Sequence, residues 1–193
     1  MIPMCGRYNF SAEESRDIQQ IIHEVQRRNI PRADEIKLGE VFPTDQAAIL
    51  LAADDRLVPA VQTWGFPSPK GSGVIINARS ETAHEKQMFR NSLDTRRCIV
   101  PCSGFYEWSS KKERFLFTSQ NAGCIYMAGL YGIFEGEARY VILTTQANES
   151  VQDIHHRMPM IIRKKEIMNW LTDKDSARRM LHCRMPLFHK CAI

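Results

Sequence analysis

The sequence predicts a single α+β domain with a β-rich, barrel-like and mainly antiparallel core and helices on its outside. The chain has 193 residues, which is long enough for one well-buried core and short for two domains. Amphipathic helical segments lie towards the two ends of the chain. Its centre is a series of short apolar segments with strand-like composition, several of them apolar almost throughout, as expected for a closed or doubly covered sheet.

The first predicted element is a helix. Ser11 and Glu14 have the spacing of a capping box, and Pro31 closes the region. Between them apolar residues recur at helical spacing, namely Ile18, Ile21, Ile22 and Val25.

Strands follow in the centre of the chain. Residues 46–53 and 57–64 read as a strand pair, in which Pro59 indicates an edge or a bulge. A loop rich in proline and glycine at residues 66–73 precedes a short strand at 74–77 and a helix from about Glu81 to Leu93. Further strands are predicted at 98–100, 104–108, 114–118, 124–133 and 140–144, and further helices at 164–171 and 176–181.

Composition indicates an intracellular protein without a metal site. No apolar run approaches the roughly twenty residues needed to span a bilayer, and the first residues lack the pattern of a signal peptide. We expect a cytoplasmic, nucleoid-associated protein, or a nuclear one in a eukaryote. The six cysteines are expected to be reduced thiols, and no Cys-x-x-Cys pair indicates zinc. No other cofactor is expected.

The charge of the chain only weakly favours nucleic-acid binding. Lysine and arginine total 26 against 22 acidic residues, a formal net charge of +4. Basic clusters on one face would attract phosphate. Two such clusters are Lys86, Arg90, Arg96 and Arg97, and Lys111, Lys112 and Arg114.

Four segments place chemically useful residues at predicted strand ends or turns. Singly, each has an ordinary interpretation: an inert cysteine, an asparagine that caps a helix, a carboxylate on the outer side of a strand, a structural histidine. Together, a cysteine, an asparagine, a carboxylate among aromatics and a histidine are the parts of a covalent-catalysis site. The segments are Cys5-Gly6-Arg7-Tyr8, Asn77-Ala78-Arg79-Ser80-Glu81-Thr82, Gly104-Phe105-Tyr106-Glu107-Trp108 and His155-His156-Arg157-Met158-Pro159.

In this order the four segments resemble the SOS response-associated peptidase (SRAP) family, and the resemblance runs from Cys5 to about Lys165. It implies a covalent link between an amino-terminal cysteine and the aldehyde of an abasic site in single-stranded DNA. The α-amine would form a Schiff base, and the thiol would then close a thiazolidine ring. An α-amine suits this step because its pKa near 8 leaves part of it neutral at cellular pH.

The resemblance also implies a role for each catalytic residue. Cys5 would be the nucleophile, and Glu107 the general acid and base, with a pKa raised by its aromatic neighbours. Asn77 would orient the cysteine amine or the sugar. His155 would bind the sugar hydroxyl that forms on ring opening and assist proton transfer, whereas His156 fills a variable position without an assigned role.

Five further residues are candidates for holding DNA. Arg7 and Arg79 would bind backbone phosphates as charge-assisted forks, and Trp64 would stack on a base beside the lesion. Arg90 and Arg157 are weaker candidates, and either could be a structural ion-pair partner instead.

The residues before Cys5 depart from the family pattern, in which the cysteine follows the initiator methionine. Because Ile2 is bulky, Met1 should persist if translation begins there, and Cys5 would then carry an amide. Either translation starts at Met4, which we favour, or the domain cleaves its own Met4–Cys5 bond. We therefore expect a working domain of residues 5–193, with residues 1–4 absent from the active form.

Two alternatives stay open at this point. One is a thiol peptidase with Cys5 as nucleophile and His155 as base, acting on its own amino terminus or on other proteins. The other is a non-covalent binder of single-stranded DNA. In the leading hypothesis the partner is single-stranded DNA that contains abasic sites, the protein is a monomer, and no membrane is involved.

Overall fold

The computed structural model describes residues 6–121 and 123–193, so Cys5 and the segment before it lie outside the described residues. The strands are β1 (Tyr8–Phe10), β2 (Gly39–Val41), β3 (Gln46–Ala53), β4 (Arg56–Trp64), β5 (Phe66–Pro67), β6 (Val74–Ile75), β7 (Asn77–Arg79), β8 (Arg97–Cys102), β9 (Gly104–Trp108), β10 (Arg114–Ser119), β11 (Ile125–Phe134), β12 (Glu137–Gln146), β13 (Arg157–Pro159) and β14 (Phe188–Ala192). The helices are α1 (Arg16–Arg27), α2 (Gln87–Thr95), α3 (Ile167–Thr172) and α4 (Lys174–Met180).

Five strands close into a barrel at the centre of the fold. Around it, β11 pairs with β8, β8 with β3, β3 with β4, and β4 with β12, which pairs again with β11. These pairings are antiparallel except between β4 and β12, and every residue of β8 is buried. The predicted α+β domain with a barrel-like, mainly antiparallel core and outer helices is therefore confirmed.

Pro59 lies at an open strand edge, as the sequence predicts. Within the described residues, β4 pairs with β12 only at Thr63 and Trp64. Pro59 therefore lies on a part of β4 that has an open edge, where a residue without a backbone N–H is tolerated.

A second, open sheet packs beside the barrel and carries part of the candidate site. Its order is β14-β10-β9-β1-β2, and all its pairings are antiparallel. Tyr8 of β1 joins it to the barrel, because its hydroxyl lies 2.8 Å from that of Tyr140 and its ring lies 5.2 Å from that of Trp64.

The sequence did not predict β14, which gives the end of the chain a structural role. β14 covers the outer edge of β10, and Phe188 at its start packs edge-on against Phe105 with ring centroids 5.1 Å apart.

Helix α1 forms as its periodicity predicts but begins differently. Ile18, Ile21 and Val25 are buried, and the helix packs on β3 and β4. Its N-cap is Ser15, whose hydroxyl accepts a hydrogen bond from the backbone of Ile18. The predicted capping box from Ser11 is wrong, because the Glu14 carboxylate accepts instead from the side-chain amide of Asn9.

Helix α2 starts six residues later than the sequence predicts, at Gln87 instead of about Glu81. The preceding residues form turns, and the Glu81 carboxylate accepts hydrogen bonds from Arg157. At the other end of the helix, Arg97 is buried and donates to the carbonyls of Leu93 and Trp170, among others. Arg97 therefore joins α2 and α3 to the barrel and is not part of a basic surface.

None of the described helices combines the length and the apolar character that a membrane crossing requires.

Candidate active site

A cleft of about 480 Å³ brings two of the predicted catalytic residues together. One wall is Glu107 and the residues that follow it at the end of β9, and the other includes His155 just before β13. The two strands belong to different sheets, so the cleft lies where the open sheet meets the barrel. Trp108, Lys112 and His156 also line it.

Glu107 is a buried carboxylate, with 2% of its surface exposed. Alternation along β9 puts it on the same side as Phe105, whose ring stacks on that of Phe117 with centroids 5.1 Å apart. The ordinary interpretation, in which the carboxylate points outwards, is therefore wrong. A carboxyl group in such a place can exchange protons with a substrate with little competition from water.

His155 is held as a neutral ring. The backbone N–H of Arg157 donates to its Nδ1 over 3.1 Å, which leaves Nε2 to carry the ring proton. Burial lowers the pKa of His155 below its ordinary 6.5; the hydrogen bond with the Arg157 backbone raises it by less, and electrostatic repulsion from His156 and Arg157 adds to the lowering. The rings of His155 and His156 stack with centroids 4.4 Å apart.

Arg157 is a structural residue. Its guanidinium donates to both carboxylate oxygens of Glu81, at 2.5 and 2.8 Å, and to the backbone carbonyl of Thr144 at 2.7 Å. It is 8% exposed. These contacts occupy the guanidinium and form the structural ion pair that was the alternative interpretation of Arg157, so its contact with DNA stays a prediction.

Asn77 and Arg79 lie at the same end of the barrel as His155. Asn77 pairs with Ile142 and Arg79 with Thr144 on one side of β12, and Pro159 of β13 pairs with Thr144 on its other side. Ala78 between them is buried, so Asn77 and Arg79 share the opposite face of β7. Asn77 is half-buried and Arg79 is exposed.

Trp64 is a core residue. It is 0% exposed, its Nε1 donates to the carbonyl of Ile76 over 3.1 Å, and its ring packs between those of Tyr8 and Tyr140. The prediction that Trp64 stacks on a base is wrong, because no face of its ring reaches the surface.

Arg90 is exposed on α2, but it is not among the side chains that line the cleft. Its predicted contact with DNA stays a prediction.

Arg7 lies beside the cleft, next to Glu40 and Phe42, which no sequence motif marked. Its guanidinium lies over the rings of Phe42, at 4.2 Å, and of Trp108, at 5.0 Å, and pairs with Glu40 at 3.2 Å. Arg114 pairs with the same carboxylate. Arg114 belongs to one of the two basic clusters of the sequence, and the short gap between the two predicted strands indicates a hairpin that would place it opposite Trp108.

The described cysteines are poor nucleophiles where they are buried. Burial raises the pKa of the Cys98 and Cys102 thiols, and it raises that of Cys124 to about 12. Cys183 and Cys191 are exposed.

In the part of the chain that the structure describes, no group of three or more potential ligands is arranged to hold a metal ion.

Comparisons with known proteins agree with the motifs. A family model described as SOS response associated peptidase (SRAP) matches residues 4–190. The abasic site processing protein YoaM of Bacillus subtilis is 37% identical over 190 residues, which cover 90% of this chain and 82% of YoaM. The abasic site processing protein YedK of Escherichia coli is 29% identical over 184 residues, covering 91% of this chain and 82% of YedK.

Solved structures share the fold. A protein from Bacteroides thetaiotaomicron superimposes with a TM-score of 0.77 at 21% identity, covering 98% of this chain and 92% of that one. A phage-related protein from Bordetella bronchiseptica has a TM-score of 0.73, also at 21% identity, covering 98% and 94%.

Proposed function

The chain belongs to the SOS response associated peptidase family, and from that premise we propose that it processes abasic sites in single-stranded DNA through a covalent link to Cys5. Its relatives are named abasic site processing proteins. The observation that carries the proposal is that a buried carboxylate, Glu107, and a histidine of lowered pKa, His155, line one cleft. The strand that follows Cys5 runs beside the strand of Glu107, since Arg7 accepts a hydrogen bond from the backbone of Tyr106.

The reaction requires a Cys5 with an unblocked amine, so the active form begins at Cys5 and comprises residues 5–193. The family match beginning at Met4 supports a start there, followed by trimming. The amine adds to the aldehyde of the ring-opened sugar, and the resulting carbinolamine loses water to give a Schiff base. The Cys5 sulfur then adds to the imine carbon, and its proton passes to the nitrogen.

Glu107 and His155 divide the proton transfers. Glu107 protonates the departing hydroxyl of the carbinolamine and takes a proton back from the nitrogen as the Schiff base forms. The neutral ring of His155 donates a hydrogen bond from Nε2–H to the sugar oxygen that becomes a hydroxyl on ring opening, and so assists proton transfer to that oxygen. Asn77 orients the amine or the sugar from the neighbouring end of β7.

DNA is held by charge and stacking without sequence readout. Arg79 and Arg7 contact phosphates on the two sides of the cleft. With Trp64 in the core, stacking on a base beside the lesion falls to Trp108, which lines the cleft, and to Phe42, which is 38% exposed.

The test is adduct formation with an oligonucleotide that carries one abasic site. Protein beginning at Cys5 should give a denaturant-resistant adduct whose mass is the sum of protein and DNA less one water. Cys5→Ala should abolish it, and Cys183→Ala, a matched change at an exposed thiol, should not. Glu107→Gln should slow its formation by about 10²-fold or more, as for loss of a general acid or base.

If Cys5→Ala forms as much adduct as the unchanged protein, the covalent proposal fails. Two other outcomes would indicate a different function. Tight binding of abasic and intact strands alike, without an adduct, indicates a non-covalent binder, and turnover of unrelated peptides that is lost in Cys5→Ala indicates a thiol peptidase.

A further inference from the structure

We propose that Arg114 and Arg7 form a phosphate-binding site beside the active-site cleft, and that Glu40 between them occupies the place that a DNA phosphodiester takes. The choice of DNA as ligand rests on the proposed function; the anion site itself rests on the geometry that follows.

Strand register brings the three charged side chains together. Arg7 directly precedes β1, Glu40 lies on β2 opposite Asn9, and Arg114 lies on β10 opposite Trp108. Alternation places Trp108 on the opposite side of the sheet from Glu107, so the charged cluster lies on the outer face. Trp108 also lines the cleft, which makes the cluster and the active site neighbours.

Aromatic rings hold both guanidinium groups in place. Arg7 lies 4.2 Å from the ring centre of Phe42 and 5.0 Å from that of Trp108. Arg114 lies 4.1 Å from the ring centre of Tyr106. Guanidinium groups stacked in this way lose little side-chain entropy when they bind an anion, because they are already ordered.

The cluster has more donors and more positive charge than its one carboxylate can match. Arg7 and Arg114 share Glu40, so these three side chains carry a net charge of one positive unit; the nearby Glu14 carboxylate is held by the side-chain amide of Asn9. The Nε atoms of both arginines are buried and have no hydrogen-bond partner among the described residues. The side chains of Arg7 and Arg114 are each 26% exposed and that of Glu40 is 32% exposed, so an anion from solvent can reach them.

A phosphodiester fits this arrangement because its oxygens accept paired N–H bonds from guanidinium forks. Glu40 then competes with the phosphate and sets the affinity. If it served only to fix the two arginines as a structural ion triad, its removal would weaken binding instead of strengthening it.

The experiment measures binding of a fluorescent single strand that carries a tetrahydrofuran abasic analogue, which has no aldehyde and cannot crosslink. Anisotropy titrations over a range of salt concentrations give both affinity and salt slope. Arg114→Gln should weaken binding about tenfold, as for loss of a charge-assisted contact, and reduce the slope of log K against log salt by about 0.7. Glu40→Gln should tighten binding several-fold.

The matched control is Arg178→Gln on α4, whose arginine pairs with Asp94 away from this sheet, and it should change neither quantity. Arg114→Lys keeps the charge but loses the paired N–H donors of the guanidinium, so it should weaken binding and leave the salt slope unchanged. It replaces Arg114→Gln as the test variant if that protein does not fold. Inorganic phosphate at fixed ionic strength should displace the strand from the unchanged protein more readily than from Arg114→Gln, which identifies the phosphate group as the ligand.

The proposal is overturned if Glu40→Gln, folded by its melting curve, leaves binding unchanged or weakens it, or if Arg114→Gln behaves like Arg178→Gln. Because the analogue cannot crosslink, these results are independent of adduct formation. Failure to form an adduct with true abasic DNA would overturn the proposed function and leave this test standing.

Discussion

Replacing Trp64 by phenylalanine tests which tryptophan contacts DNA, and its cost follows from the contacts of the ring. The substitution keeps the packing between Tyr8 and Tyr140 but removes the N–H that donates to Ile76 over 3.1 Å. The Ile76 carbonyl keeps its second hydrogen bond, from the backbone N–H of Ile142 over 3.0 Å, so loss of the indole donor costs about 1 kcal/mol. The smaller ring leaves a cavity worth about 1 kcal/mol.

Trp64→Phe should therefore lower the free energy of unfolding by about 2 kcal/mol, and Tm by about 4–8 °C for a chain of this length. Urea denaturation and thermal melting measure both. At a temperature where the variant is fully folded, its affinity for the tetrahydrofuran strand should equal that of the unchanged protein, since Trp64 is 0% exposed.

Trp108→Ala is the matched comparison, because Trp108 lines the cleft and is only half-buried. Loss of one stacked base contact costs about 1–3 kcal/mol, so its affinity should fall at least severalfold while stability changes less than in Trp64→Phe. A Trp64→Phe protein that keeps its Tm and loses as much affinity as Trp108→Ala would show instead that Trp64 contacts DNA.

Two further predictions concern protonation. NMR titration of the His155 ring should give a midpoint below pH 6.5, because burial lowers the pKa of the imidazolium. The ring is then neutral at pH 7. A midpoint above pH 6.5 would contradict the role assigned to His155. Glu81→Gln should cost about 2 kcal/mol at neutral pH by leaving the buried guanidinium of Arg157 without its carboxylate. Hydrogen bonds from Arg157 hold the pKa of Glu81 below 4.5, so the contribution of Glu81 is present above that pH and is lost as pH falls through the lowered pKa. Urea denaturation at neutral and acidic pH should show the two proteins converging in acid, and a constant difference would argue against the ion pair as the cause.

Local patterns in the sequence predicted much of the fold. The buried face of α1 and the strands of the barrel follow from periodicity and apolar composition, which depend on neighbouring residues. The start of α1 was misplaced because two serines four residues apart, Ser11 and Ser15, are both acceptable N-caps. Strand β14 was missed because four of its five residues are exposed, and its pairing with β10 depends on a distant part of the chain.

At the candidate site, too, some features could be read from the sequence and others depend on tertiary packing. The chemical types in the motifs, including Glu107 among aromatics and His155 before Arg157, could be read from the sequence because each motif is short and continuous. Whether a given tryptophan is exposed could not be read in this way. Trp64 and Trp108 both end a strand, and only the sheet packed over Trp64 decides that it is buried.

The family, the fold class and the chemical types at the site could be read from the sequence, since they depend on residue types and on short-range spacing. Which charges are paired and which stay exposed depends on the tertiary structure. Arg157 and Glu81 are 76 residues apart, and Arg7 and Glu40 are 33 apart. In the first pair the Arg157 side chain is largely buried and holds the histidine segment in place, whereas in the second pair both side chains are partly exposed beside the cleft. Partners so far apart in the chain meet only through strand register, which sets whether an arginine is used by the fold or remains able to bind phosphate.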